Sequence, residues 1–275
     1  MQHLLLNAYN DILESIRSRW FFVYSFVFGA IVVLLFVFGV TESRIMGFTG
    51  ITRLLITYIQ LTMAILPIFI LITTVRSVAG DREAGVFEYL LSLPISLSAW
   101  FWGKMAGRFV VVFLPVFLAL VATATWGVMK GAAVPWAIFL YYSALLFALS
   151  WCFLGMGMLI STIARSADVA QGAAFIIWLL LILFLDLILL GLLIREAVNP
   201  DLIVAMALAN PLQLFRTAAM LLFDAELVLL GPTAYLILDN FGHTGYLLWA
   251  IAYPLGLGTL CAWVGYRLFR RGDLP

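Results

Sequence analysis

Residues 54–75 read LLITYIQLTMAILPIFILITTV, twenty-two positions without a charge, closed by Arg53 on one side and Arg76 on the other. A helix rises about 1.5 Å per residue, so such a run covers roughly 30 Å, the thickness of a bilayer's hydrocarbon core. One run of this kind could form the centre of a soluble protein. Here the pattern recurs. Residues 20–41, 109–129, 134–161 and 244–266 carry no charge, and 171–194 are interrupted only by Asp186. Apolar residues make up 65% of the 275-residue chain and charged residues 11%, against roughly half and a quarter in soluble domains. Six buried soluble helices would need coats of polar helices, and the sequence has none to offer. The excess must face lipid. The expected fold is an all-α membrane protein with six transmembrane helices at these six runs.

Shorter apolar runs, 202–215, 217–223 and 227–238, lie consecutively between the fifth and sixth spans. None reaches the length of a crossing. Pro200, Pro211, Gly231 and Pro232 punctuate them. We read 195–243 as a re-entrant insert, with helices at 201–208 and 211–223 dipping into the membrane interface.

Orientation follows from Lys and Arg. With the N-terminus inside, ten basic residues face the cytoplasm: Arg17, Arg19, Arg76, Arg82, Lys104, Arg108, Arg165, Arg267, Arg270 and Arg271. Only five, Arg44, Arg53, Lys130, Arg195 and Arg216, then face outward. Both termini are expected in the cytoplasm, with the insert on the outer side. A net charge of +1 gives no case for nucleic-acid binding. Cys152 and Cys261 sit in apolar runs without a CxxC pattern or a Cys/His cluster, so no metal site is expected on them.

Two amphipathic pieces flank the inner side. In 1–19, Leu5, Tyr9, Ile12 and Ile16 recur at helical spacing, with Asn7, Asn10, Asp11, Glu14 and Ser18 on the other side. This reads as an interfacial helix leading to Trp20, an indole suited to the headgroup level. The largest cytoplasmic loop, 76–108, holds Asp81-Arg82-Glu83-Ala84-Gly85-Val86-Phe87-Glu88-Tyr89-Leu90-Leu91-Ser92-Leu93-Pro94. As a helix from Asp81 to Leu93, it would carry an apolar stripe of Val86, Phe87, Leu90 and Leu91, with Arg82, Glu83 and Glu88 polar and Pro94 as terminator. Such a helix suits either a groove on a partner protein or the lipid surface.

The chain has no phosphate-binding loop of the Gly-x-x-x-x-Gly-Lys-Ser/Thr type and no dinucleotide fingerprint. An ATP-driven function would therefore need a separate ATPase. An ion-driven one would need paired ionisable groups within the bilayer, and Asp186 is the single clear candidate. An intramembrane enzyme is not supported. His3 and His243 stand apart from any motif, and no catalytic signature occurs. No catalytic residue and no cofactor are expected on this chain.

The Asp81–Pro94 segment resembles the cytoplasmic motif of ABC-2-type permeases, the membrane subunits of ABC exporters. Arg82-Glu83, Gly85, Glu88, Leu90-Leu91 and Pro94 match, while Val86 stands where the family usually has Thr. Gly103-Lys104 follows, as it often does in the family. The layout matches as well: interfacial helix, six spans, a coupling helix between spans two and three, and a re-entrant insert before span six. Within the family the chain resembles permeases of transporters that support maturation of the copper enzyme nitrous oxide reductase, through 81–102, 210–218 and Gly231-Pro232.

This resemblance implies a homodimer in a bacterial inner membrane. It also implies two copies of a cytoplasmic ATPase holding ATP and Mg, and a periplasmic copper-handling protein. It implies an ATPase-coupling set of Asp81, Arg82, Glu83, Gly85, Phe87, Glu88, Leu90, Leu91 and Pro94. In this picture Phe87, Leu90 and Leu91 anchor in the ATPase, and Arg82, Glu83 and Glu88 make rim contacts.

Other candidates are weaker. Asp186 within a span lines a path or bonds to a neighbouring helix. Met156 and Met158 could offer soft sulfur to copper, yet methionine commonly fills apolar gaps. Asp201, Arg216, Asp224 and Glu226 make the insert a candidate docking surface for a periplasmic partner. The competing reading is an exporter of a lipid, glycan or antibiotic.

Overall fold

The computed structural model describes residues 2–17, 22–23, 26, 29–30, 50–87, 96–129, 136–184, 200–222 and 242–272. Among the described residues the chain is almost wholly helical and contains no strand. Helix α1 is Gln2–Arg17, α2 Gly50–Thr74, α3 Arg76–Glu83, α4 Leu97–Met129 and α5 Trp136–Ile163. Helix α6 is Ala167–Leu179 and continues as a π-helical turn, Leu180–Phe184. Helices α7 Pro200–Ala209, α8 Pro211–Leu221 and α9 His243–Gly272 complete the set.

Four segments are long and apolar enough to cross a membrane: Thr62–Glu83, Leu97–Ala122, Trp136–Ile163 and Thr244–Arg271. Each overlaps one of the six expected spans. Ala167–Leu183 is a shorter apolar helix. Most of 20–41 and all of 185–194, with Asp186, lie outside the described residues. Helix α4 starts at Leu97, inside the stretch read as loop, so Lys104 and Arg108 ride on its first turns. Leu118, Leu140, Leu248 and Leu260 are exposed on the outside of the bundle, as lipid-facing side chains should be.

Helix α5 is the hub. It packs against α2, α4, α6, α8 and α9. In lipid the hydrophobic effect does not draw helices together, so close van der Waals packing and hydrogen bonds must do so. The α5–α9 pair shows both. The two helices run parallel and meet backbone to backbone at Gly155 and Gly258. A Cβ on Gly155 would run into the carbonyl of Gly258, and one on Gly258 would lie 2.6 Å from the Trp151 oxygen. Trp151 Nε1 donates to Thr259 Oγ1 at 3.0 Å, and Tyr141 OH donates to the Leu247 carbonyl. On the other side of α5, Phe147 and Trp151 interleave with Phe109 and Phe113 of antiparallel α4, at ring separations of 4.7–5.5 Å between the two helices.

Helix α1 lies across the start of α4. A Cβ on Gly107 would sit 2.7 Å from the Ala8 oxygen. Asp11 of α1 turns inward, only 5% exposed, while Leu5, Leu6 and Tyr9 face out together with Asn10.

The glycine crossing makes a direct prediction. Gly155→Val should lower thermal stability by about 3 kcal/mol or more, since both sides of the clash are backbone and cannot yield as a side chain would. Gly256→Ala, with nothing within 4 Å of the new Cβ, should leave the melting temperature unchanged or slightly raised. Melting of the detergent-purified proteins, followed by size-exclusion chromatography, distinguishes the two.

Candidate functional site: the candidate coupling segment and its links

The coupling segment is built from the end of α2. The helix breaks at Val75, and α3 begins with amide groups that need partners. Val78 N and Ala79 N both donate to Ser161 Oγ of α5, at 2.9 and 3.0 Å. Ser77 Oγ donates to the Thr74 carbonyl at 2.6 Å and lies 3.3 Å from Met158 Sδ. The start of α3 is thus capped by another helix, and Met158 is fully buried in that contact.

The expected single helix from Asp81 to Leu93 is not formed. Helix α3 ends at Glu83, and Gly85 adopts φ +69°, the left-handed conformation that glycine takes at little cost. Ala84 N bonds to Gly80 O at 3.0 Å and Gly85 N to Arg82 O at 3.1 Å, closing the helix. The chain turns there, and Phe87 enters its own protein instead of facing a partner. It is 9% exposed, edge-on to Trp100 at 5.3 Å and against Phe269 at 5.2 Å. Trp100 and Phe269 stack at 5.3 Å, so α3, α4 and the end of α9 share one aromatic cluster. Phe87, expected as an anchor toward an ATPase, packs in this chain against Trp100 and Phe269. Glu88, Leu90, Leu91 and Pro94 lie outside the described residues.

The charged residues of α3 reach across to the α5–α6 junction. Arg82 donates from Nη1 to Ala164 O at 2.8 Å and from Nη2 to Thr162 O at 3.1 Å. These are carbonyls at the C-terminus of α5, where a cation is also favoured by the helix dipole. Glu83 Oε1 accepts from Ala167 N at 3.2 Å, at the N-terminus of α6, where Ser166 caps through Val169 N. One residue pair therefore closes the end of one helix and the start of the next. Asp81 pairs with Lys104 of α4, whose ammonium lies 5.0 Å from the Trp100 ring centroid. Arg108 joins α1 to α2: its Nε contacts buried Asp11 at 3.3 Å, and Nη1 donates to Thr73 O at 2.6 Å. Charge-assisted bonds of this kind are the stronger ones, more so out of water.

A second set of bonds lies toward the other end of α6. Trp178 Nε1 donates to Ala64 O at 3.1 Å, in the turn of α2 loosened by Pro67. Beyond it α6 widens into its π turn, and Asn210 Nδ2 donates to the Leu181 carbonyl there at 3.0 Å. The same Asn210 caps α8 through Leu212 N at 3.0 Å, with Pro211 at the first helical position. Tyr253 OH donates to Ala209 O at 2.6 Å and Trp249 Nε1 to Leu208 O at 3.4 Å, closing the end of α7. The α7–α8 tip thus lies beside α6 and α9, and α8 is buried along most of its length. Non-helical backbone among spanning helices is tolerated only when protein supplies its partners, as here.

The remaining candidates separate. Arg216 is partly buried on α8, and Asp201 lies in α7, while Asp224 and Glu226 fall outside the described residues with Asp186. Met156 is partly buried against the core. Among the described residues no three His, Cys, Asp or Glu come together. Ser161, Arg108, Trp178 and Asn210 were not singled out as site residues by sequence. Only Asn210-Pro211 carried a local signal, a capping residue before a helix-opening proline.

The pattern described as ABC-2 family transporter protein matches residues 7–274. The chain belongs to the ABC-2 family. It is 26% identical over 282 residues to a probable ABC transporter permease protein NosY of Stutzerimonas stutzeri, covering 96% of each chain. It is 26% identical over 230 residues to the probable NosY of Pseudomonas aeruginosa strain PAO1, covering 79% of this chain and 82% of that one. As an ABC-2 permease it is a multi-pass membrane subunit, and the family sets it beside ATPase subunits.

The tip of the hairpin and the Arg82 clamp can be tested as structure. Asn210→Ala removes a cap and leaves the Leu181 carbonyl without its donor, a loss of about 2–3 kcal/mol. Arg82→Lys keeps the charge but replaces the planar two-armed fork with a single ammonium nitrogen, and should fall between wild type and Arg82→Ala in thermal stability. Equal stability of Arg82→Lys and wild type would mean that the fork geometry is irrelevant.

Proposed function

We propose that this permease couples ATP hydrolysis on a separate cytoplasmic ATPase to a change at its outer insert. The observation that carries the reading is the chain of bonds just described. Movement imposed on the coupling segment reaches the α5–α6 junction through Arg82 and Glu83. Helix α6 carries it along its length, and the Leu181–Asn210 bond delivers it to the tip of the α7–α8 hairpin. Phe87 fixes the segment's base to α4 and α9. Leu90 and Leu91 are the anchors for the ATPase, with Glu88 at the rim and Pro94 closing the segment. Asp81 and Lys104 hold the segment to α4 and set its register. An element with two arrangements, biased by nucleotide, is all such a switch requires.

The working unit in this reading is two copies of the permease and two of the ATPase, in a bacterial inner membrane with both termini in the cytoplasm. ATP and Mg are held by the ATPase. The likeness to NosY favours a role in copper-site maturation of nitrous oxide reductase. A sulfur or copper species, or only a conformational signal, then passes to a periplasmic copper-handling protein at the outer insert. Asp201, Arg216, Asp224 and Glu226 are its proposed contacts. Asp186 is proposed as a residue of the path across the membrane. Met158 is engaged in packing, and Met156 is the better placed of the two methionines to meet cargo. Export of a lipid, glycan or antibiotic is the alternative, and it requires no periplasmic protein partner.

The test is assembly. Leu90→Asp with Leu91→Asp should leave a monodisperse permease that no longer co-purifies with its ATPase. Co-purification of a copper-binding periplasmic protein with the wild-type complex supports the maturation reading. Undiminished ATPase binding by the double variant contradicts the coupling assignment.

A further inference from the structure

The C-terminal third of α9 changes character along a single stripe. Leu260, Trp263, Arg267 and Arg270/Arg271 follow one another at intervals of three and four residues, and so lie on one helix face. All are exposed, Leu260 at 56% and Trp263 at 45%. The opposite face is spoken for. Ala262 and Gly265 are buried, with Gly265 against Leu159 of α5, and Phe269 sits in the aromatic cluster with Trp100. The exposed stripe therefore faces lipid at its apolar end. Its basic end lies at the level of the coupling segment, because Phe269 touches Phe87.

Arg267 decides what the stripe fits. Its guanidinium carbon lies 4.4 Å from the centroid of the Trp263 ring, so the side chain folds back toward the membrane instead of reaching into the cytoplasm. Arg267, Arg270 and Arg271 have no carboxylate partner among the described residues, where the ion pairs are Lys104–Asp81 and Arg108–Asp11. Asp273 follows in sequence outside those residues. Arg267 over an indole, with Arg270 and Arg271 exposed one turn further along the helix, supplies what a phosphate on an acyl chain needs. The apolar stripe takes the chain, the indole marks the headgroup level, and the planar forks take the phosphate oxygens. Other exposed arginines at this end, Arg76 and Arg165, lie on α3 and the α5–α6 junction, away from this stripe.

We propose that the Leu260–Trp263–Arg267–Arg270/Arg271 face of α9 is a binding site for an anionic phospholipid of the cytoplasmic leaflet. The site stands on α9 alone and is independent of the coupling reading. A lipid held there borders the aromatic cluster that seats Phe87, and so is placed to stiffen the base of the coupling segment.

The experiment uses the full-length permease, reconstituted in mixed phosphatidylcholine–phosphatidylglycerol vesicles, re-extracted in mild detergent and examined by native mass spectrometry. Wild type should retain phosphatidylglycerol in preference to phosphatidylcholine. The triple variant Arg267→Ala/Arg270→Ala/Arg271→Ala should lose that preference by on the order of tenfold or more, as expected for three basic contacts at a membrane surface. Arg76→Ala/Arg165→Ala should keep it. If the triple variant is not monodisperse, Arg267→Lys serves in its place, and a preference weakened below wild type supports the site. Retention unchanged in the triple variant, or in Arg267→Lys where that is used, overturns the proposal. So does equal loss in the Arg76/Arg165 variant, which would reveal a general charge effect. Loss of the ATPase subunits by the triple variant with lipid preference intact would assign the face to protein instead.

Discussion

Inside a bilayer there is no water to bond a free backbone group, so each interruption of a helix must find its partners in the protein. Among the described residues this chain interrupts its helices at Val75, Ala84–Gly85, the 164–166 junction and the Ala209–Asn210 tip. All but the Gly85 turn take partners from outside their own helix. Ser161 caps α3, Arg82 and Glu83 close the α5–α6 junction, and Asn210, Trp249 and Tyr253 close the hairpin tip and the π turn of α6. In the proposed coupling, the bonds that make these breaks tolerable also join the moving parts, so that stability and coupling would rest on the same few side chains.

That identity has a mechanical consequence. Helix α5 is fixed to α9 by backbone contact at Gly155 and Gly258, which leaves little room for sliding. Helix α6 buries Ala170 and Ala174 in the core and adds polar contacts at its start, at Trp178 and at its π turn. In the proposed coupling the α5–α9 pair is the frame and α6 the lever, and the coupling segment bears on the frame through the Phe87 cluster shared by α4 and α9.

Much of this was legible in sequence, because the membrane imposes long-range order on local composition. The charge-free runs marked the spans, and Pro200 and Pro211 marked the insert helices, since proline opens a helix readily. The shape of the candidate coupling segment was not legible. Its apolar stripe scored as one helix, but Gly85 could take a left-handed turn, and Phe87 had a better-packed aromatic site inside. Nothing local to α1 says that Asp11 meets Arg108 of α4. Trans-capping by Ser161 is equally silent in sequence: a serine near the end of an apolar helix has no local signature for the amides of another helix. These residues act through contacts distant in the chain, and their placement waits for the fold.

The central claim is that nucleotide binding inside is felt outside through Arg82 and α6. It is tested most directly by the distance between spin labels at Ala205 on α7 and Leu248 on α9, both exposed, with Cys152 and Cys261 replaced by alanine, in the transporter assembled with its ATPase. The account predicts that ATP shifts this distance in otherwise wild-type protein, and that Arg82→Ala still hydrolyses ATP but no longer shows the shift. An unchanged ATP-dependent shift in Arg82→Ala would contradict it.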